Sequence, residues 1–141
     1  DLEEAAQMTA CYSRAWKEGF GNCSVYYVSA EQVSFTPPSG QYLPKGSFMV
    51  LGRKTYLTSE LRLAAYFDDD LNPHITPALT ALRVGVNHVE LRPGNTKAHE
   101  ASKVIADLLE VKPSEEQLQS LAGEIPYGRC SIYFRNKLIR S

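Results

Sequence analysis

The sequence predicts an α+β fold: a helix packed on an antiparallel sheet, followed by a small α-β-α-α-β module. Three observations predict it. Ala5, Ala6, Thr9, Ala10 and Ser13 form a stripe of small residues at helical spacing, which lets a helix lie close against a sheet. Val25-Tyr26-Tyr27-Val28 and the alternation over residues 60–67 are strand patterns. Residues 68–77, rich in Asp, Asn and Pro and without periodicity, separate these from a second set of periodic segments. The expected organisation is therefore a first unit over 1–67, a linker over 68–77 and a small α/β module over 78–141.

Asp1 caps the first helix, with Glu4 at the capping-box position, and Gly19 stops it after Glu18. Trp16 anchors its end, while Arg14 and Lys17 point to the other face. Gly19, Gly21 and Asn22 turn the chain into a strand over 24–29, and residues 31–35 extend it or begin another. Pro37, Pro38 and Pro44 fix φ and donate no backbone hydrogen bond, so residues 36–46 are a stiff loop with a turn at Ser39-Gly40. Residues 47–51 alternate as a strand, and Gly52-Arg53-Lys54 reverses the chain. Over 60–67, Leu61, Leu63, Ala65 and Phe67 share one face against Arg62, Ala64 and Tyr66, which reads as an antiparallel partner for 47–51.

In the second half, Pro73 and Pro77 suit the start of a short helix through Leu82. Residues 87–92 read as a strand, with Pro93-Gly94 as its turn. Asn95 or Thr96 then caps a helix on which Ala98, Ala101, Ile105 and Leu108 share a face. Pro113-Ser114 opens another helix, with Gln117 at the capping-box position, and Gly123 and Pro126 end it. Cys130, Ile132 and Phe134 alternate with Ser131, Tyr133 and Arg135 in a closing strand.

Composition excludes several classes. No run of about 18 apolar residues is present, so no membrane segment is expected, and cytosol is the default setting. Cys11, Cys23 and Cys130 are odd in number and widely spaced, which argues against a zinc site or a disulfide framework. The net charge is −1, and residues 1–70 hold six Lys/Arg against nine Asp/Glu. Any contact with nucleic acid must therefore be a local patch. His74, His88 and His99 lie in different elements with no spacing that builds a dyad, and no nucleophile elbow or phosphate-binding glycine loop occurs. No catalytic residue, metal or cofactor is expected, and Asp68-Asp69-Asp70 reads as solvated.

Two places remain as binding candidates. Lys45, Arg53 and Lys54, flanked by Tyr42 and Tyr56, interleave cations with aromatics on stiff loops, a chemistry that suits phosphates and bases. The alternative is a solvated hairpin with ordinary surface lysines. Residues 92–97 join a strand to a helix amino terminus, where Arg92 and Lys97 would add charge to free N–H groups facing an anion. The tail over 135–140 is also basic.

The strings Ala10-Cys11-Tyr12-Ser13-Arg14-Ala15-Trp16, Gln32-Val33-Ser34 and the run from Pro38-Ser39-Gly40-Gln41-Tyr42 to Leu51-Gly52-Arg53-Lys54 resemble the NFACT-R domain. This domain belongs to ribosome quality-control tailing factors, also known as fibronectin-binding protein A-like or snRNP-like predicted RNA-binding proteins. The resemblance covers residues 1–67, includes Arg14, and is strongest to archaeal members. It implies a parent factor that binds the large ribosomal subunit carrying a stalled nascent chain, together with transfer RNA, and supports tailing of that chain. It also implies that this chain is a carboxy-terminal fragment, because the family domain normally begins with a strand-rich half upstream. The expected partners are thus ribosomal or transfer RNA and the large subunit, with no membrane. The alternative is a module that docks on ribosomal proteins or on the rest of the factor.

Overall fold

A computed structural model describes residues 1–35 and 47–141. The expected proline loop, with Tyr42 and Lys45, lies outside the described residues. Helix α1 (Leu2–Cys11) starts where Asp1 Oδ1 accepts from the Glu3 and Glu4 amides at 2.7 and 3.1 Å. It ends well before Glu18, the end expected from the sequence. Ser13 leaves the helical region and accepts from the Ala15 amide at 3.2 Å, capping a separate short helix α2 (Arg14–Lys17). Gly19, at φ 81°, then supplies the left-handed turn.

Strands β1 (Asn22–Tyr27) and β4 (Thr55–Glu60) form an antiparallel ribbon, with Val25 opposite Leu57 and Tyr26 opposite Tyr56. Two short strands, β2 (Val33–Ser34) and β3 (Met49–Val50), pair beside it. The expected pairing of 47–51 with 60–67 is therefore corrected. The alternation over 61–67 is real, but it belongs to β5 (Leu63–Phe67), which enters another sheet. Local alternation sets which side chains share a face, whereas the partner strand is chosen by distant residues.

That sheet has five antiparallel strands in the order β6-β5-β7-β8-β9, completed by β6 (Pro73–Pro77), β7 (Val89–Lys97), β8 (Arg129–Phe134) and β9 (Lys137–Arg140). The expected linker is thus a tight turn followed by a strand that pairs with β5 from Leu63↔Pro77 to Phe67↔Pro73. Asp68 organises the turn, its Oδ1 accepting from the Asp70 and Asn72 amides at 2.9 Å each. Prolines at both ends of β6 hide it in the sequence. They are tolerated because β6 is an edge strand, with one side free of ladder bonds. The basic tail is likewise ordered, since Arg135-Asn136 turns the chain and β9 pairs with β8.

Helix α3 (Ala78–Val84) begins after Pro77, as expected, and ends at Gly85, whose φ is 80°. Both β6 and β7 run antiparallel to β5, so α3 crosses β5 to join two strands that are parallel to each other. Strand β7 continues through the expected turn by a bulge between Arg92 and Thr96. A Cβ on Gly94 would lie 2.3 Å from the Ser131 amide nitrogen, so only glycine fits this crossing of backbones. Helix α4 (Ala98–Leu108) then starts without a side-chain cap from Asn95 or Thr96, and Thr96 instead donates to the Ser141 carbonyl at 3.1 Å. Helix α5 (Glu115–Glu124) has the expected capping box of Ser114 and Gln117.

One core crosses the expected boundary. Ala10, Cys11, Trp16, Leu61 and Leu63 from the first half pack with Val89, Leu91, Ile105, Leu121 and Ile132 from the second. Trp16 is 3% exposed, and its indole N–H donates to the Arg129 carbonyl at 2.9 Å. Each large apolar side chain buried this way contributes about 1.5–3 kcal/mol. Burial also pushes the thiols of Cys11 and Cys130 up to about 12, so both are packing groups. No helix among the described residues is long and apolar enough to cross a membrane.

Candidate nucleic-acid interface

The β1–β4 ribbon sorts its residues by the period of two. Val25 and Leu57 pack towards α1, while Tyr26 and Tyr56 sit on the opposite, solvent-facing side. Their ring centroids are 6.1 Å apart in an edge arrangement, and Tyr56 remains 60% exposed. The ammonium of Lys54 lies over the Tyr26 ring, 4.5 Å from its centroid. Arg53 is exposed beside it. Together these residues make a local patch of two cations and two aromatic rings.

Gln32 holds the basic turn in place. Its side-chain amide donates to the carbonyls of Leu51 and Arg53 at 2.9 and 2.7 Å, and the Leu51 amide donates to the Gln32 carbonyl at 2.6 Å. Its Oε1 also accepts from the Ser29 amide at 3.0 Å, tying the turn to the short helix Ala30–Gln32. Gly52 takes φ 77° within this clamp. Tyr26 and Gln32 are the site residues that sequence reasoning missed. Both act through pairing across the chain, which no local pattern reveals.

Of the predicted site residues, Arg53, Lys54 and Tyr56 therefore come together. Lys45 and Tyr42 lie outside the described residues. Arg14 sits on α2, which packs against β7 and residues 126–128, and its exposed guanidinium pairs with Glu18 at 3.6 Å. Residues 92–97 form a bulged strand that runs directly into α4, whose N-cap is Lys97, so the strand meets the helix amino terminus without the loop expected between them. Arg92 donates to Glu90 Oε2 at 2.6 Å and lies 4.0 Å over the Tyr133 ring, so much of its charge is engaged. Lys97 stands opposite Arg129 across the β7–β8 ladder.

Glu90 also accepts from Arg62 Nε and Nη2 at 3.0 and 2.6 Å. Burial works to raise its pKa, but the two arginines outweigh that and hold the carboxyl below its ordinary range. Among the described residues no group of three His, Cys, Asp or Glu side chains could hold a metal ion. What the ribbon can do chemically is bind: place cations against phosphates and offer an aromatic face to a base.

Comparison with known proteins adds to this geometry. Residues 1–52 match the family model of the NFACT protein RNA binding domain. The chain is 33% identical over 136 residues to the archaeal Rqc2 homolog aRqcH of Methanocaldococcus jannaschii, covering 93% of this chain and 20% of that protein. It is 47% identical over 58 residues to the ribosome quality control complex subunit NEMF homolog of Drosophila melanogaster, covering 41% of this chain and 6% of that protein. The mouse NEMF subunit gives 46% identity over 56 residues, with 40% and 5% covered. The chain thus spans about a fifth or less of the length of these relatives. No solved structure matches it significantly.

Proposed function

We propose that the chain is an RNA-binding module of a ribosome-associated quality-control factor, because residues 1–52 match the NFACT protein RNA binding domain and the chain is similar to the archaeal Rqc2 homolog and to NEMF. In this reading the module is non-enzymatic, works in the cytoplasm, and contacts ribosomal or transfer RNA on large subunits that carry a stalled chain. The observation that carries it is the patch of Lys54 over Tyr26 beside exposed Tyr56 and Arg53, braced by Gln32. Arg53 and Lys54 meet phosphates and Tyr56 stacks on a base. Lys45 and Tyr42 belong to the same family-like string and are assigned the same role, and Arg14, Arg92 and Lys97 are further candidates for contact with phosphates.

A second reading draws on Phe35, Phe48 and Leu51, which are 74%, 54% and 48% exposed beside the ribbon. They suit docking on a ribosomal protein or on the remainder of the factor.

The test compares two double charge reversals, Arg53→Glu with Lys54→Glu against Lys103→Glu with Lys112→Glu, in binding structured RNA at one fixed salt. The first pair should weaken binding about tenfold or more and the second little, since only the first removes phosphate-facing cations. Equal effects would refute the site and favour the docking reading.

A further inference from the structure

We infer that the cleft between the end of α3 and the β8–β9 turn is a second RNA site, one that takes a single unpaired nucleotide. This inference rests on the RNA-binding reading for its ligand class, but it concerns residues far beyond those that match the family model. The cleft measures about 250 Å³. Leu82, Val86 and Phe134 give it apolar walls, while Arg62, His88 and Asn136 bring polar groups to its lining. Few convergent polar groups on apolar walls is the usual make-up of a small-ligand site.

Charge decides the sign of the ligand. Arg62 and Arg92 share the carboxylate of Glu90, Arg62 also reaches Glu60 at 3.6 Å, and Arg135 lines the cleft. Among the described residues no carboxylate lies in ion-pair range of Arg135. Three arginines against two glutamates leave one positive charge in excess, on Arg135, for an anion. The Arg62 guanidinium is already oriented by two bonds to Glu90, and Arg92 is stacked on Tyr133, whose ring also borders the cleft. His88 Nδ1 bonds the Val86 carbonyl at 2.9 Å, so Nδ1 carries the proton and Nε2 is the acceptor of the neutral ring. An amide and an imidazole acceptor can read the edge of a base, and the apolar walls can hold its plane.

The backbone marks Arg135 as chosen for its side chain. Arg135 and Asn136 sit at φ 51° and 66° between the paired residues Phe134 and Lys137, which is a two-residue hairpin turn with both centres left-handed. Asn, Asp or Gly are the residues such a turn favours, and Asn136 obeys this. An arginine in that conformation is strained. Its guanidinium lies 4.9 Å from the centroid of the neighbouring Phe134 ring, a contact that offsets part of that strain, and a phosphate in the cleft would use the same cation.

The turn chemistry supplies a clean variant, because Arg135→Asn removes the cation while installing a residue the turn prefers. Binding of a fluorescent unstructured RNA decamer to the whole chain is measured at one low salt for wild type, Arg135→Asn, and the Arg53→Glu, Lys54→Glu pair. NMR shifts are followed at residues 87–88 and 135–136 with the decamer and with uridine or adenosine monophosphate. The expected result is a decamer affinity about fivefold or more weaker for Arg135→Asn, with thermal stability equal or higher. Decamer-induced shifts at the cleft, reproduced by a monophosphate at higher concentration, would complete the support. Unchanged decamer affinity in Arg135→Asn, while the Arg53, Lys54 pair loses binding, would overturn the cleft and leave the proposed function standing. A wild type that binds no decamer would overturn both. Shifts with a monophosphate but none with the decamer would overturn the RNA assignment in favour of a free nucleotide, and cleft shifts with an added protein partner alone would overturn it in favour of docking.

Discussion

The Lys54 ammonium rests 4.5 Å from the centroid of the Tyr26 ring, and Tyr26 is the cross-strand partner of Tyr56. The charge and the exposed ring are thus held on one rigid ladder, but they should report separately. Neutralising Arg53 and Lys54 with glutamine should weaken RNA binding and flatten its log–log salt dependence by about 1.4, roughly 0.7 for each single-strand phosphate left without its cation. Tyr56→Ala should weaken binding by about 1–3 kcal/mol with the slope nearly unchanged. A Tyr56→Ala variant that changes the slope alone would contradict the stacking role.

The clasp between α1 and α3 predicts an acid-sensitive fold. Glu4 accepts from Arg83 Nε and Nη2 at 2.9 and 3.0 Å and from the Thr80 hydroxyl. These bonds, that to Arg83 foremost, lower the carboxyl from 4.5 to about 2. Because the folded value lies below the unfolded one, the contribution is complete above about pH 4.5 and is lost as pH falls towards 2. Glu4→Gln should therefore lower the melting temperature at pH 6 and narrow the gap to wild type by pH 2. A gap independent of pH would show that the ion pair contributes nothing.

Gly94 and Gly123 give a paired test of packing. Gly94→Ala drives a methyl group to 2.3 Å from the Ser131 amide nitrogen and 2.7 Å from the Cys130 carbonyl carbon, both backbone atoms. It should destabilise by about 1–3 kcal/mol in urea unfolding. Gly123, within α5, has nothing within 4 Å of the same position, so Gly123→Ala should stabilise by about 0.5–1 kcal/mol. Similar effects from the two would mean that the bulge of β7 relaxes freely.

Limited proteolysis tests the integrated sheet. Residues 73–77 are hydrogen-bonded to β5, and the Asp68 turn is closed by side-chain bonds, including His74 Nε2 to Asp68 Oδ2 at 2.8 Å. Neither should be a preferred site of cleavage. An early cut there that releases two stable halves would restore the linker expected from composition.

Much of the local structure was legible in residue order, and the reasons are short-range. Asp1, Ser114 and Gln117 cap helices with atoms three residues away or fewer. Leu61, Leu63 and Ala65 are buried as their shared face predicts, although Ala64 on the opposite face is buried as well. The cations and one ring of the candidate interface were legible too, because Arg53, Lys54 and Tyr56 are neighbours in the chain.

Partnership was decided only by the tertiary structure. Glu4 sits at a capping-box position, yet its carboxylate reaches Arg83, 79 residues on. Pro73 and Pro77 read as breakers until an edge position makes their missing N–H groups harmless. Tyr26 joins the interface because β1 pairs with β4, and Gln32 because it reaches Leu51 and Arg53, 19 and 21 residues away. Caps and periodicity follow from bond geometry over a few residues. Strand partners follow from which surfaces bury the most apolar area at once, and that depends on the whole chain.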